Sequence, residues 1–196
     1  MAMSIPYETT GRTRQKARTR AAMLTATREL LASGETPTVE RAAEHAGVSR
    51  TTAYRYFPNQ RSLLVATYPM VGADSLLDDD APLDPHERLE IVTRAIGKQL
   101  LDHEAELRAM LRLSLDPANR AELPLRAGRA IGWLEDALSP LRGTVTKREL
   151  HQLALAIRAT LGIEAFVWLT DIAGLPRDDA VELMRHSART LLRAAL

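Results

Sequence analysis

The sequence predicts an all-α fold in two parts, and three observations lead there. Alanine, leucine and arginine dominate the 196 residues, and extended alternation of β-branched residues is missing. Apolar residues instead recur at helical spacing between breaks made by Gly, Pro and Asp. Charge is also partitioned. Residues 1–66 carry ten Lys/Arg against five Asp/Glu, a net +5, whereas residues 67–196 carry sixteen against twenty, a net −4. The overall +1 therefore hides two halves of opposite sign. The expectation is a basic arm over 1–17, a three-helix helix-turn-helix domain over 18–66 and a larger helical domain over 67–196.

From Gly11 through Arg28 there is no acidic residue, and Arg12, Arg14, Lys16, Arg18 and Arg20 are spaced by small or polar residues. This reads either as an ordinary disordered basic tail or as an arm that neutralises phosphates; both can hold. A first helix over about 18–33 carries Met23, Ala26 and Leu30 on one track and Leu24 and Leu31 on the next, ending at Gly34. Thr38 can cap a second helix whose Val39, Ala42, Ala43 and Ala46 form a single apolar stripe. Gly47 stands where that helix must stop in a left-handed residue, Val48 plugs the corner, and Ser49 caps a third helix. Asn59 can cap a fourth helix carrying Leu63, Leu64, Ala66 and Tyr68, which Pro69 ends or kinks.

On the third helix Ala53 and Phe57 face inward, which leaves Arg50, Thr51, Thr52, Tyr54 and Arg55 outward. Two helices this short bury little, so a fixed angle between them serves another purpose. The outward set suits base edges in a DNA major groove. The alternative is a hairpin that merely packs, with Arg50 and Arg55 as solvated charges.

The run Arg20–Leu64, with MLTATRELLASG, TVERAAEHAGVSRTTAYRYF and PNQRSLL, closely resembles the DNA-binding domain of the TetR family of transcriptional regulators. The first helix ending in Gly34, the helix-turn-helix and the Tyr54-x-Tyr56-Phe57 end agree in order and spacing. The resemblance covers about a quarter of the chain strongly. It implies base contacts from Arg50, Thr51, Thr52, Tyr54 and Arg55, and backbone contacts from Arg18, Arg20, Thr38, Ser49, Tyr56, Gln60 and Arg61. Two departures stand out. Gln60 replaces the lysine that the family commonly directs at a phosphate, and Ala42 and Ala53 replace bulky residues. Both put in doubt any transfer of operator sequence from a relative.

The segment 74–84, with Asp78, Asp79 and Asp80 together and Pro82 near by, reads as a solvated loop and lacks the spaced ligands of a calcium loop. Helices follow at about 86–102, 104–115, 121–138, 147–170 and 177–195. Between Leu150 and Trp168 almost every face is apolar, and the last helix carries a stripe of its own. Such helices need cover on all sides, which points to a twofold dimer through a four-helix bundle built on Leu153, Ile157, Leu161, Trp168, Val181, Met184, Ala188 and Leu191. The TetR resemblance implies the same dimerisation, and a small-molecule effector cavity in the larger domain. Candidates for its lining are His103, Arg108, Met110, Trp133, Glu164 and Phe166, with Glu164 read as a carboxylate set in an apolar run. The implied partners are palindromic double-stranded DNA, a second copy of the chain and an unidentified effector, in a bacterial cytoplasmic repressor. A ligand-independent or architectural DNA binder is the alternative.

Cysteine is absent, so disulfides and thiolate chemistry are excluded. No apolar run is read as long enough for a membrane span. No HExxH, Glu-xx-His pair, Gly-rich phosphate loop or nucleophile elbow is present, so neither an enzyme nor a metal or other cofactor is expected.

Overall fold

The computed structural model describes residues 7–67, 74–115 and 129–196. Among these, every regular element is helical, apart from one isolated bridge between Arg142 and Val145. The chain divides into two compact units, Met1–Val71 and Gly72–Leu196.

The first unit holds α1 (Tyr7–Ala32), α2 (Val39–His45), α3 (Arg50–Tyr56) and α4 (Gln60–Thr67). Because α1 starts at Tyr7, the expected disordered arm is corrected from that residue onward. Arg, Lys, Gln and Ala are strong helix formers, and no proline interrupts the chain between Pro6 and Pro37. The turns over residues 13–18 are exposed, so Arg14, Lys16 and Arg18 lie on a helical ridge rather than a loose tail. From Met23 onward α1 joins one core cluster with Leu24, Leu30, Val39, Ala42, Ala43, Ala53, Phe57 and Leu63. Tyr68 and Pro69, expected to end the fourth helix, lie outside the described residues.

The second unit contains α5 (Pro85–Asp102), α6 (Glu104–Leu115), α7 (Arg129–Ala137), α8 (Lys147–Thr160), α9 (Ile163–Val167) and α10 (Arg177–Ala195). The first part of the helix expected over 121–138 lies outside the described residues. Asp84 caps α5 by accepting from the His86 amide at 3.0 Å, with Pro85 in the first turn. Arg88 fastens the preceding loop, donating to Pro82 O and Asp136 O, each at 3.1 Å. Helix α8 opens with a reciprocal capping box between Thr146 and Glu149. Helix α10 packs on α5 and α8, and α7 on α8. Leu89, Val92, Leu134, Leu138, Ile157, Phe166 and Leu192 are fully buried.

The helix expected over 147–170 is broken. Gly162 adopts φ 150°, ψ 173°, a region open essentially to glycine alone, so α8 stops at Thr160 and α9 starts at Ile163. One π-helical turn, Trp168–Ile172, follows. The reading that no run could span a membrane is also corrected, since Lys147–Ile172 is long and apolar enough by length and composition. The break at Gly162 argues against a span, because lipid offers no partner for the backbone groups freed there. Only 33% of that apolar window is buried, the remainder being half-buried or exposed.

Candidate nucleic-acid interface

The angle between α2 and α3 is fixed by local chemistry. Thr38 Oγ1 accepts from the Arg41 amide at 3.2 Å, and Ser49 Oγ accepts from the Thr52 amide at 3.3 Å, so both helix starts are capped. Between them Gly47 takes φ 64°, its N–H donating to Glu44 O at 3.2 Å while Val48 N–H donates to Ala43 O at 2.8 Å. This pair closes α2 in a Schellman turn. Ala42 and Ala53 are both fully buried, and a methyl at each lets the two backbones come close. Phe57 is buried beneath, with the Arg20 guanidinium 5.9 Å from its ring centroid.

Only Ala53 of the seven α3 residues is buried. Arg50, Thr51, Tyr54 and Arg55 are exposed, with Tyr54 at 41%. Thr52 is half-buried, and its hydroxyl accepts from Ser49 Oγ at 2.9 Å. The structure thus brings Arg50, Thr51, Tyr54 and Arg55 onto the open side of α3 and ties Thr52 back to the cap. Tyr56 is half-buried, with the Arg55 guanidinium 5.7 Å from its ring centroid. Arg18 and Arg20 are exposed on α1, and Arg61 is half-buried on α4. Gln60 Nε2 donates to Pro37 O at 2.9 Å, so it ties α4 to the start of α2. Asn59 Oδ1 accepts from the Ser62 amide at 2.8 Å and caps that helix.

One residue of this face escaped the sequence reading. Glu40, in the first turn of α2, accepts a hydrogen bond from the Tyr54 hydroxyl. That bond is the main cause holding the Glu40 carboxyl below its usual range, and backbone, Thr38 and Arg50 add to it. The same bond raises the Tyr54 phenol above its usual value. Glu40, Arg41, Glu44, Val48 and Arg50 line one shallow groove of about 470 Å³. Fourteen positions separate Glu40 from Tyr54, a spacing with no periodic signature.

Residues 23–67 match the family model described as bacterial regulatory proteins, tetR family. The matched segment contains the capped α2 and α3 pair, the Schellman turn and the exposed face of α3. A crystal structure of a TetR transcriptional regulator from Rhodococcus sp. RHA1 shares the fold, with a TM-score of 0.58 and 24% identity over 91% of this chain and 97% of that one. A search of curated proteins returns no match.

The expected effector-lining residues are dispersed among other tasks. Met110, Trp133 and Phe166 are buried in the core. The Arg108 guanidinium is held by Glu104 at 2.7 Å and by both Asp171 oxygens at 2.6 and 2.7 Å, which fastens α6 to the π-helical turn. Arg177 donates to the other Glu104 oxygen at 2.7 Å. These carboxylates raise Arg108 above its ordinary value, and Arg108 holds Asp171 down at about 2. His103 caps α5 half-buried, its Nδ1 3.5 Å from Glu106 Oε1. Glu164, the carboxylate of the apolar run, is exposed and 3.5 Å from Arg158 Nη2, just past the break at Gly162. None of the six lines the groove of about 480 Å³ between α5 and α10.

The expected dimer residues divide likewise. Ile157, Leu161, Met184 and Ala188 are buried within the unit's own core, where α10 packs on α8 and α5. Leu153, Val181 and Leu191 are half-buried, and Trp168 is 58% exposed. Among the exposed large apolar side chains of this unit are Leu155, Trp168, Ile172 (72%) and Leu183, alongside Leu83, Ile91, Leu101, Leu115 and Leu196 elsewhere on it.

Proposed function

We propose that the protein is a homodimeric repressor that binds a palindromic operator through α3 and is released by a small-molecule effector acting on the larger unit. The observation that carries this reading is the pair of capped helices set by the Gly47 turn, with Arg50, Thr51, Tyr54 and Arg55 on their open side. Arg50 offers a bidentate donor pair to guanine, and Thr51 and the Tyr54 ring suit thymine methyls. Arg18, Arg20 and Arg61 supply charge for phosphates, which fixes register without reading sequence.

The open apolar side chains of the second unit support dimerisation. Leu155, Trp168, Ile172 and Leu183 are exposed on the last helices and the turn between them, and two copies that share them cover them by one isologous contact. Two recognition helices then sit about 34–36 Å apart, one helical turn of DNA. An effector that prefers a dimer of different spacing releases DNA by as much as its differential affinity allows.

Sedimentation of the protein alone and with a selected duplex tests this directly. A dimer alone and one dimer per palindrome is the expected result. A monomer that binds single half-sites independently contradicts it.

A further inference from the structure

We propose that Glu40 sets the hydrogen-bonding polarity of Tyr54, so that Tyr54 meets its base as an acceptor and selects an adenine or cytosine amino group. This rests on the reading of α3 as the recognition helix.

A phenol has a single proton to donate and lone pairs that accept. Here the proton is already directed at Glu40, and an ionised carboxylate only accepts, so the direction of the bond is fixed. The depressed Glu40 and the raised Tyr54 agree on where the proton stays, on the phenol. What Tyr54 still offers outward is oxygen lone pairs and the ring face, on a side chain 41% exposed. In the major groove the donors that fit lone pairs are adenine N6 and cytosine N4, whereas guanine O6/N7 and thymine O4 are acceptors that face lone pairs unfavourably. Glu40 is fixed in turn. It sits in the first turn of α2, where negative charge is favoured, on a helix whose start Thr38 caps and whose end the Gly47 turn closes. Arg50 lines the same groove, which sets the carboxylate beside two residues that face DNA. Glu40 is therefore a positioning residue. Its charge weakens binding to every sequence, and its acceptor oxygen acts at one base pair.

The test separates those two effects with full-length protein. A randomised duplex pool enriched by the wild type supplies the site, and duplexes altered at one base pair at a time are then titrated against wild type, Glu40→Ala, Glu40→Gln and Tyr54→Phe. Circular dichroism checks that each variant is folded. The wild type is expected to favour an amino-bearing base at one position by about fivefold, the worth of one hydrogen bond. Glu40→Ala frees the phenol proton, and the preference at that position disappears or moves to an acceptor base. Glu40→Gln retains the preference, because the amide oxygen still accepts from Tyr54, while binding all duplexes more tightly through the lost charge. Tyr54→Phe loses the preference without tightening.

A Glu40→Ala variant with the wild-type preference at every position overturns the proposal. So does Glu40→Gln behaving like Glu40→Ala, since charge rather than the acceptor would then be responsible. If Glu40→Ala does not fold, an unchanged preference in Tyr54→Phe overturns it equally. A wild type that enriches no sequence from the pool is a different failure, of the recognition reading itself.

Discussion

Replacing Gly162 with alanine tests the break between α8 and α9 and can be worked from the structure. At φ 150° and ψ 173° the backbone occupies a region that costs a residue with a Cβ of order 1–3 kcal/mol. The added Cβ would also lie 2.9 Å from Arg158 Cζ and 2.9 Å from Glu164 Oε2, with Arg158 Nη1 in the way as well. An arginine tip can move, but this one donates to Leu161 O at 2.6 Å and caps the broken helix end. Displacing it forfeits about 1 kcal/mol. The total is about 2–4 kcal/mol, of which only the backbone part survives when Arg158→Ala is already present. Urea unfolding followed by tryptophan fluorescence is the assay, because Trp133 and Trp168 are the two tryptophans and both lie in the second unit. Protein concentration is held fixed, since association shifts apparent stability. A Gly162→Ala protein within about 0.5 kcal/mol of wild type refutes the reasoning, as does a full cost that persists beside Arg158→Ala.

Three further outcomes follow from the same contacts. Asp171 is held at about 2, below its ordinary 3.8, by Arg108, so its contribution to stability is present above about pH 4 and fades as pH falls towards 2; Asp171→Asn should flatten that part of the stability–pH curve measured by denaturation. Ile157→Ala should destabilise the second unit by about 2–5 kcal/mol without changing its sedimentation at native conditions, whereas Trp168→Glu should shift the dimer towards monomer with little loss of intrinsic stability. Arg50→Ala should relax base preference in a competition of single-substitution duplexes, while Arg18→Ala should weaken all duplexes alike and reduce the salt slope by about 1.

The first unit was legible because its determinants are local. Thr38, Gly47, Ser49 and Asn59 each act on groups within a few residues, and the caps and turn form as their spacing implies. The start of α1 was misread because a basic, apolar-poor segment looks the same whether helical or not. In the second unit, the apolar run over 147–170 gave no sign of its break, since Gly162 in a helical pattern is an ambiguous signal until φ is known. The division between buried core and open surface was hidden for a related reason. Ile157, Met184 and Ala188 share their apolar character with Leu155 and Leu183, and only the packing of α10 on α8 and α5 decides which side is covered. Contacts between distant positions, Glu40 with Tyr54 and Arg108 with Asp171, leave no trace in spacing at all.

The central claim is that α3 reads DNA sequence, and fluorescence anisotropy tests it most directly. The purified protein is titrated against the intergenic duplex beside its own gene and against a scrambled duplex of equal length, at two salt concentrations. Tighter binding to the native duplex, with the preference surviving the higher salt, is the predicted result. Absence of binding to either duplex at low salt would contradict it.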